Sequence, residues 1–241
     1  MTDPNVLANG AAALGVDLSP SQIAQFATYL DGLAQWNART NLTSPAALAD
    51  AVRVHVLDSL TLAPLVTREA PGAARLVDVG SGAGFPGLAL KVAMPGLHVV
   101  LVEATRKKAT FLEWVVRELG LEGVEVRAER AESLGHVSAY RETFDVATAR
   151  AVGALPVVLE LTLPLCRVGG VLLAPRGTDA AREADDAARA SRELGGDTPR
   201  AEPTLSVGGV ERTAVVIVRK IGPTPSRYPR RDGMPAKRPL A

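Results

Sequence analysis

The stretch that decides the fold is Leu76-Val-Asp-Val-Gly-Ser-Gly-Ala-Gly-Phe-Pro-Gly87. Apolar residues interrupted by Asp78 read as the end of a buried parallel strand, and four glycines in eight positions then precede a helical run from Leu88. Strand, tight turn and helix start follow one another. Glycine is required at such a turn because the backbone takes positive φ and approaches a ligand more closely than a Cβ permits. The start of the helix then faces whatever rests on the turn.

Two ligands fit this turn. Gly82, Gly84 and Gly87 match the G-x-G-x-x-G spacing of dinucleotide-binding turns, whereas Asp78, Gly80, Gly82 and Gly84 match the D-x-G-x-G-x-G pattern of enzymes that use S-adenosylmethionine (SAM). Both put a nucleoside at the carboxyl end of the first strand.

Downstream of the turn, strands alternate with helices, the mark of a doubly wound α/β sheet. Strands are expected at 75–79, 98–103 and 124–128, then at a fourth ending in Phe144-Asp-Val-Ala-Thr-Ala-Arg150 and a fifth after the turn within 165–175. Helices are expected at 88–93, 107–119 and 156–163, with an Ala-rich, lightly buried one over 179–194. Two weaker strands follow, at 200–205 and 212–219. The connection 206–211 is too short for a parallel crossover, which needs roughly a dozen residues, so the last two strands form an antiparallel pair. A parallel sheet with an antiparallel edge strand is how Rossmann-like class I SAM-dependent methyltransferases end. That topology selects SAM over a dinucleotide.

Upstream, residues 1–70 carry no strand signal and read as an N-terminal helical cap beside the sheet. The first fifteen residues show no clear period. Ser19-Pro-Ser-Gln22 is a capping-box start, after which Ile23, Phe26, Ala27, Leu30, Leu33 and Trp36 recur at helical spacing. Polar turn formers at 37–45 break the pattern, and 46–66 reads as further helix. The SAM-binding domain is placed at 71–220 and a basic, Pro-rich tail at 221–241. In the tail, five prolines exclude regular structure, and five Lys/Arg against Asp232 suggest either phosphate binding or a solvated end.

A chain of 241 residues with 47% hydrophobic content has material for one full α/β core plus an extension. The formal charge of +1 supplies no global field, so contact with nucleic acid must come from local basic clusters. Cys166 is the only cysteine, which excludes an intrachain disulfide and a cysteine-based metal cluster. The first residues lack a signal-peptide pattern, and no apolar run approaches the ~20 residues of a membrane span. A soluble, cytoplasmic protein with no metal and no membrane partner is expected, acting as a monomer.

Taken together, the chain resembles the RsmG family (also called GidB), bacterial 16S ribosomal RNA guanine-N7 methyltransferases. The resemblance runs through Trp36-Asn37, Asn41-Leu42-Thr43, His55-Val-Leu-Asp-Ser59, the Asp78 to Gly87 loop, Arg130-Ala-Glu132, Ala149-Arg-Ala151 and the tail from Tyr228 to Pro239. It implies SAM as cofactor, with contacts at Gly80, Phe85, Ala131, Glu132 and Arg150; Gly82 and Gly84 belong to the same loop. Glu103 is added from fold geometry, since it ends the second strand, where a carboxylate accepts hydrogen bonds from ribose hydroxyls. The resemblance also implies one guanosine in the decoding-region loop of 16S ribosomal RNA as target, on free RNA or on a partly assembled small subunit.

Arg39, Asn41 and His55 are the candidates on the cap to face the RNA. No catalytic acid or base is assigned, because guanine N7 carries a lone pair and no proton. An NAD(P)-dependent oxidoreductase would need a second nucleotide-binding half and a Tyr followed four residues later by Lys, whereas Tyr140 is followed by Phe144. The non-enzyme alternative is an inactive protein that holds SAM or RNA, against which the intact glycine loop argues.

Overall fold

The computed structural model describes residues 4–72, 75–205 and 214–240. The strands are β1 (Arg75–Val79), β2 (His98–Val102), β3 (Val124–Arg127), β4 (Phe144–Thr148), β5 (Cys166–Arg176), β6 (Arg200–Glu202) and β7 (Ala214–Arg219). They form one sheet in the order β3-β2-β1-β4-β5-β7-β6. β1 pairs in parallel with both β2 and β4, so the strand order reverses at β1 and a crevice opens beyond its carboxyl end. The antiparallel strand expected at the end of the sheet is β7, which runs against β5 and is covered on its outer side by the short β6. The segment expected to join them lies outside the described residues from position 206 to 213.

Alternate strand residues serve two cores, because successive side chains point to opposite faces. Leu76, Val99, Leu101, Val146 and Leu173 face one helical layer, and Val77, Val100, Ala147 and Leu172 face the other. The first layer is α1 (Pro4–Ala13), α2 (Pro20–Thr40), α3 (Pro45–Ala49), α4 (Asp58–Leu60), α5 (Ala63–Glu69), α6 (Gly87–Ala93) and α7 (Arg106–Glu118). The second is α8 (Ala131–Leu134), α9 (Leu155–Thr162), α10 (Ala180–Asp186) and α11 (Ala188–Glu193), with α12 (Met234–Lys237) packed on α9. The N-terminal helices therefore share one apolar core with the sheet.

Four local expectations differ from the structure. The first residues do form a helix, α1, whose buried stripe of Leu7, Gly10 and Ala11 is built mostly from small residues and so carries little hydropathy signal. Gly10 is needed there: a Cβ would come within 2.5 Å of the Leu57 side chain. The expected helix over 46–66 is interrupted by a π-helical turn, Val52–Leu57, in which the Asp58 N–H reaches back to the Arg53 carbonyl. The helix expected over 179–194 breaks at Ala187, and four of its alanines are buried, with Ala180, Ala184, Ala187 and Ala190 against the second core.

The tail is the fourth difference. It lies ordered across α8 and α9, and Pro235 sits in the first turn of α12, where a missing N–H costs no helical hydrogen bond. Glu160, fully buried on α9, accepts from the Arg230 backbone N–H at 2.8 Å and from its guanidinium at 2.5–3.1 Å. Tyr228 is buried and donates to Glu193. An unpaired carboxylate at Glu160 would be costly, so Arg230→Ala should destabilise the fold by on the order of 3 kcal/mol. Urea unfolding reads this, and a midpoint equal to that of the parent chain would contradict it.

Candidate active site

The site is built from the backbone of the glycine loop outward. The N–H groups of Gly80 and Ser81 both donate to the Val102 carbonyl at 2.8 and 3.1 Å, and Gly84 N–H donates to Ser81 O at 2.7 Å. Two carboxylates then fix the loop. Asp78 Oδ2 accepts the Gly87 N–H at 3.0 Å, and Glu103 Oε2 accepts the Gly82 N–H at 3.0 Å while its Oε1 takes the Thr105 N–H at 2.7 Å. Tyr29 reaches down from α2 and donates its hydroxyl to the Ala83 carbonyl.

The loop glycines do different work. Gly80 has φ +71°, and a Cβ there would come within 2.6 Å of Val152. Gly82 has φ +58°, yet the space its Cβ would enter is open, the nearest atom being the Gly80 carbonyl oxygen at 3.8 Å. A ligand can thus approach the backbone at Gly82. Asp78 Oδ1 and Thr148 Oγ1, at paired positions of β1 and β4, are buried without a hydrogen-bond partner among the described residues. Burial pushes the Asp78 carboxyl up to about 6, partly offset by the Gly87 N–H and by Arg150. An acceptor without a donor, a second fixed carboxylate and an open backbone suit the ammonium and ribose hydroxyls of SAM.

A second set of contacts ties the cap to this loop. Phe85 is stacked between Tyr29, at 5.0 Å and 10°, and His55, at 4.9 Å and 14°. The Arg150 guanidinium lies 5.7 Å from the Phe85 ring centre. It donates to Asp58 Oδ2 at 2.7 Å and to the Val54 carbonyl at 3.2 Å, and approaches His55 Nδ1 at 3.2 Å. Arginine can only donate, so His55 Nδ1 is the acceptor and His55 Nε2 carries the proton given to Thr43 Oγ1 at 2.7 Å. Burial first, and Arg150 second, push the His55 imidazole down to about 4. His55 is neutral.

Asn37 explains why Thr43 stands where it does. Its Oδ1 accepts from the Leu42 and Thr43 N–H groups at 2.7 and 2.9 Å, and its amide donates to Thr43 O at 3.1 Å, folding the chain back after α2. Asn41 closes α2 in a left-handed conformation, φ +51°, and is exposed together with Arg39.

Of the residues singled out from sequence, Gly80, Gly82, Gly84, Phe85, Glu103, Arg150 and His55 come together at the carboxyl edge of β1, β2 and β4. His55 faces Arg150 and Phe85 and is only 8% exposed. Arg39 and Asn41 stand apart at the open end of α2. Ala131 begins α8, and the buried Glu132 accepts the Gly233 N–H of the tail at 2.8 Å. Sequence reasoning missed Tyr29, which lies outside the apolar stripe read on its helix although it is fully buried, and the pairing of Asp58 with Arg150. Asn37, Thr43 and Asp58 all lie in motifs that carried the resemblance, but their spacing does not show what they hold.

A profile of the GidB family, described as rRNA small subunit methyltransferase G, matches residues 22–199. The chain belongs to this family. The ribosomal RNA small subunit methyltransferase G of Chloroflexus aggregans is 50% identical over 235 residues, covering 98% of this chain and 97% of that protein. The protein of the same description from Roseiflexus castenholzii is 47% identical over 230 residues, covering 95% and 97%. In fold, the chain is similar to a SAM-dependent O-methyltransferase from Thermotoga maritima, with TM-score 0.50 and 16% identity over 70% of this chain and 66% of that one. GidB membership and this fold make it a SAM-dependent methyltransferase of class I.

Two of the perturbed groups, His55 and Asp78, give the GidB site a readable pH signature. His55 has a folded value of about 4 below its ordinary 6.5, so between these values only the unfolded chain takes up the proton, and acidification removes stability. Asp78 has a folded value of about 6 above its ordinary 3.8, so between these only the folded chain takes up the proton, and acidification adds stability. The slopes oppose each other from about pH 6 to 4. Asp78→Asn removes one of them, so its stability in urea should fall relative to the parent by up to about 1.4 kcal/mol per pH unit over that window. His55→Gln should diverge the other way. Parallel profiles for the parent and Asp78→Asn would refute the assignment.

Proposed function

We propose that this chain transfers the methyl group of SAM to N7 of one guanosine in 16S ribosomal RNA, by direct in-line attack of the base. The observation that carries the reading is the glycine loop fixed by Asp78 and Glu103 at the reversal of a class I sheet, within a chain belonging to the rRNA small subunit methyltransferase G family. SAM supplies an electrophilic sulfonium methyl group, so that the N7 lone pair forms the new bond and the breaking bond leaves its electrons on sulfur.

No proton leaves N7, and no side chain has to take one. What this chain's residues contribute is alignment and exclusion of water, which can be worth ~7 to 11 kcal/mol. Asp78 and Glu103 offer acceptors to the ammonium and ribose ends of SAM, the open backbone at Gly82 admits it, and Gly80 and Gly84 shape the turn. Ala131, after the third strand, offers its backbone to the adenine edge, and Glu132 beside it anchors the tail through the Gly233 N–H. Phe85, a loop residue, is held by Tyr29 and His55 of the cap, and Arg150 lies over its ring. The methylated base is cationic, so an unscreened cation at N7 would oppose transfer; Arg150 is held by Asp58, 2.7 Å away, which offsets its charge. Arg39 and Asn41 reach the RNA from the exposed end of α2, whereas His55 positions Arg150.

This reading places the protein in the cytoplasm, acting as a monomer on 16S ribosomal RNA or on a partly assembled small subunit. Target bases of nucleobase enzymes are unstacked or already unpaired, which fits a loop nucleotide. Mapping of N7-methylguanosine in 16S ribosomal RNA from cells with and without the gene tests it. One mark should vanish with the gene and return on complementation. An unchanged set of marks, together with no heat on titrating SAM into the protein, would overturn the proposal.

A further inference from the structure

α2 and α7 pack antiparallel, and the pairing can be followed turn by turn. Gln25 Nε2 donates to the Leu119 carbonyl at 3.0 Å. Gly32 lies against Trp114, where a Cβ would come within 2.2 Å of the indole. Trp36 then meets Trp114 at 6.0 Å and Phe111 at 5.7 Å. One turn further along α2 is Arg39, and one turn back along α7 are Lys107 and Lys108, with Arg106 at the helix start. Arg39 therefore comes to the same end as the three α7 cations. That end is the carboxyl edge of the sheet, because α7 begins just after Glu103.

Arg39, Arg106 and Lys107 are exposed, and Lys108 is half-buried. Among the described residues none of these four side chains makes an ion pair or a hydrogen bond. No acidic residue occurs in 32–49 or 104–112 to neutralise them. In the tail, the other basic segment, Arg230 is held by Glu160 at 2.5 Å and Arg227 by Glu193 at 3.2 Å, while the side chains of Arg231, Lys237 and Arg238 are exposed and unpaired among the described residues, on a segment packed against α9. A groove of about 240 Å³ lined by Gln35, Trp36, Arg39 and Thr40 opens on the same ridge. Like charges gathered without counter-charges repel each other, and a polyanion relieves that repulsion while releasing its own counterions.

We propose that the ridge of Arg39, Arg106, Lys107 and Lys108 binds the phosphates of the RNA strand that flanks the methylated guanosine. This rests on the ribosomal RNA methyltransferase reading and adds to it where the strand runs: along the α2 and α7 ends beside the SAM loop. The charge-neutralising surface is set by the cap and the second βα unit, and the tail's paired arginines serve the fold instead.

The test is filter binding of a 16S ribosomal RNA transcript over a series of salt concentrations, with a chain carrying Arg39→Gln, Arg106→Gln and Lys107→Gln. Each phosphate contact on a single strand contributes about −0.7 to the slope of log affinity against log salt, so the triple variant should be shallower by about 2 and weaker by about tenfold or more at low salt. All three residues are exposed, so its unfolding midpoint and its heat of SAM binding should match the parent. A second variant, Arg231→Gln with Lys237→Gln and Arg238→Gln, carries the same charge loss on the tail and should change the slope less. A ridge variant with the parent slope overturns the proposal, as does a tail variant that flattens the slope more than the ridge variant. Failure of the parent to methylate the RNA would overturn the function, and the slopes would still report on the ridge.

Discussion

The ion pair between Arg150 and Asp58 is the contact on which the rest of the site depends. Asp58 is 1% exposed and Arg150 16%, so both charges are largely withdrawn from water, and their mutual 2.7 Å contact, with the added hydrogen bonds from Arg150 to Val54 and His55, helps offset that loss. A buried pair of this kind is weak as a source of stability and strong as a source of geometry. Removing either partner strands the other, so the cap helices have one position relative to the loop after β4. The π-helical turn puts His55 and Asp58 within reach of the same guanidinium.

From that pair the order propagates to the SAM loop. Arg150 and His55 close over Phe85, Phe85 stacks on Tyr29, and Tyr29 binds the Ala83 carbonyl. On the sheet side, Asp78 and Glu103 hold Gly87 and Gly82. The loop is thus gripped from two sides before any ligand arrives, which lowers the ordering cost that binding would otherwise meet. The same grip explains why a methyl transfer that needs no general base still uses a dense polar cluster: the cluster places atoms and does not move protons.

Much of the architecture was legible in the sequence because the sheet is buried on both faces. Such strands read as continuous Val and Leu runs, and β1 was bounded correctly as Arg75–Val79. The capping box at Ser19 was equally plain. What sequence could not show lies where small or polar residues do the packing. Gly10 and Ala11 in α1 carry no hydropathy signal, and the tail's prolines hid the fact that Glu160, far away in the chain, binds Arg230. At the site, Glu103 was placed by fold geometry, but its hold on Gly82 is a tertiary fact. His55, expected on an RNA-facing surface, turns inward because Thr43 and Arg150 occupy its two nitrogens. The family resemblance marked these residues without saying what each one touches.

The central claim is that the cap, acting through the Asp58 and Arg150 pair, sets the geometry of the SAM loop. Calorimetry of SAM binding to Asp58→Asn tests it most directly, since Asp58 is not expected to touch SAM. The account predicts an affinity about tenfold or more below the parent, as the loss of a charge-assisted hydrogen bond implies, with circular dichroism unchanged. An Asp58→Asn chain that binds SAM as tightly as the parent would show that the loop keeps its shape without the cap.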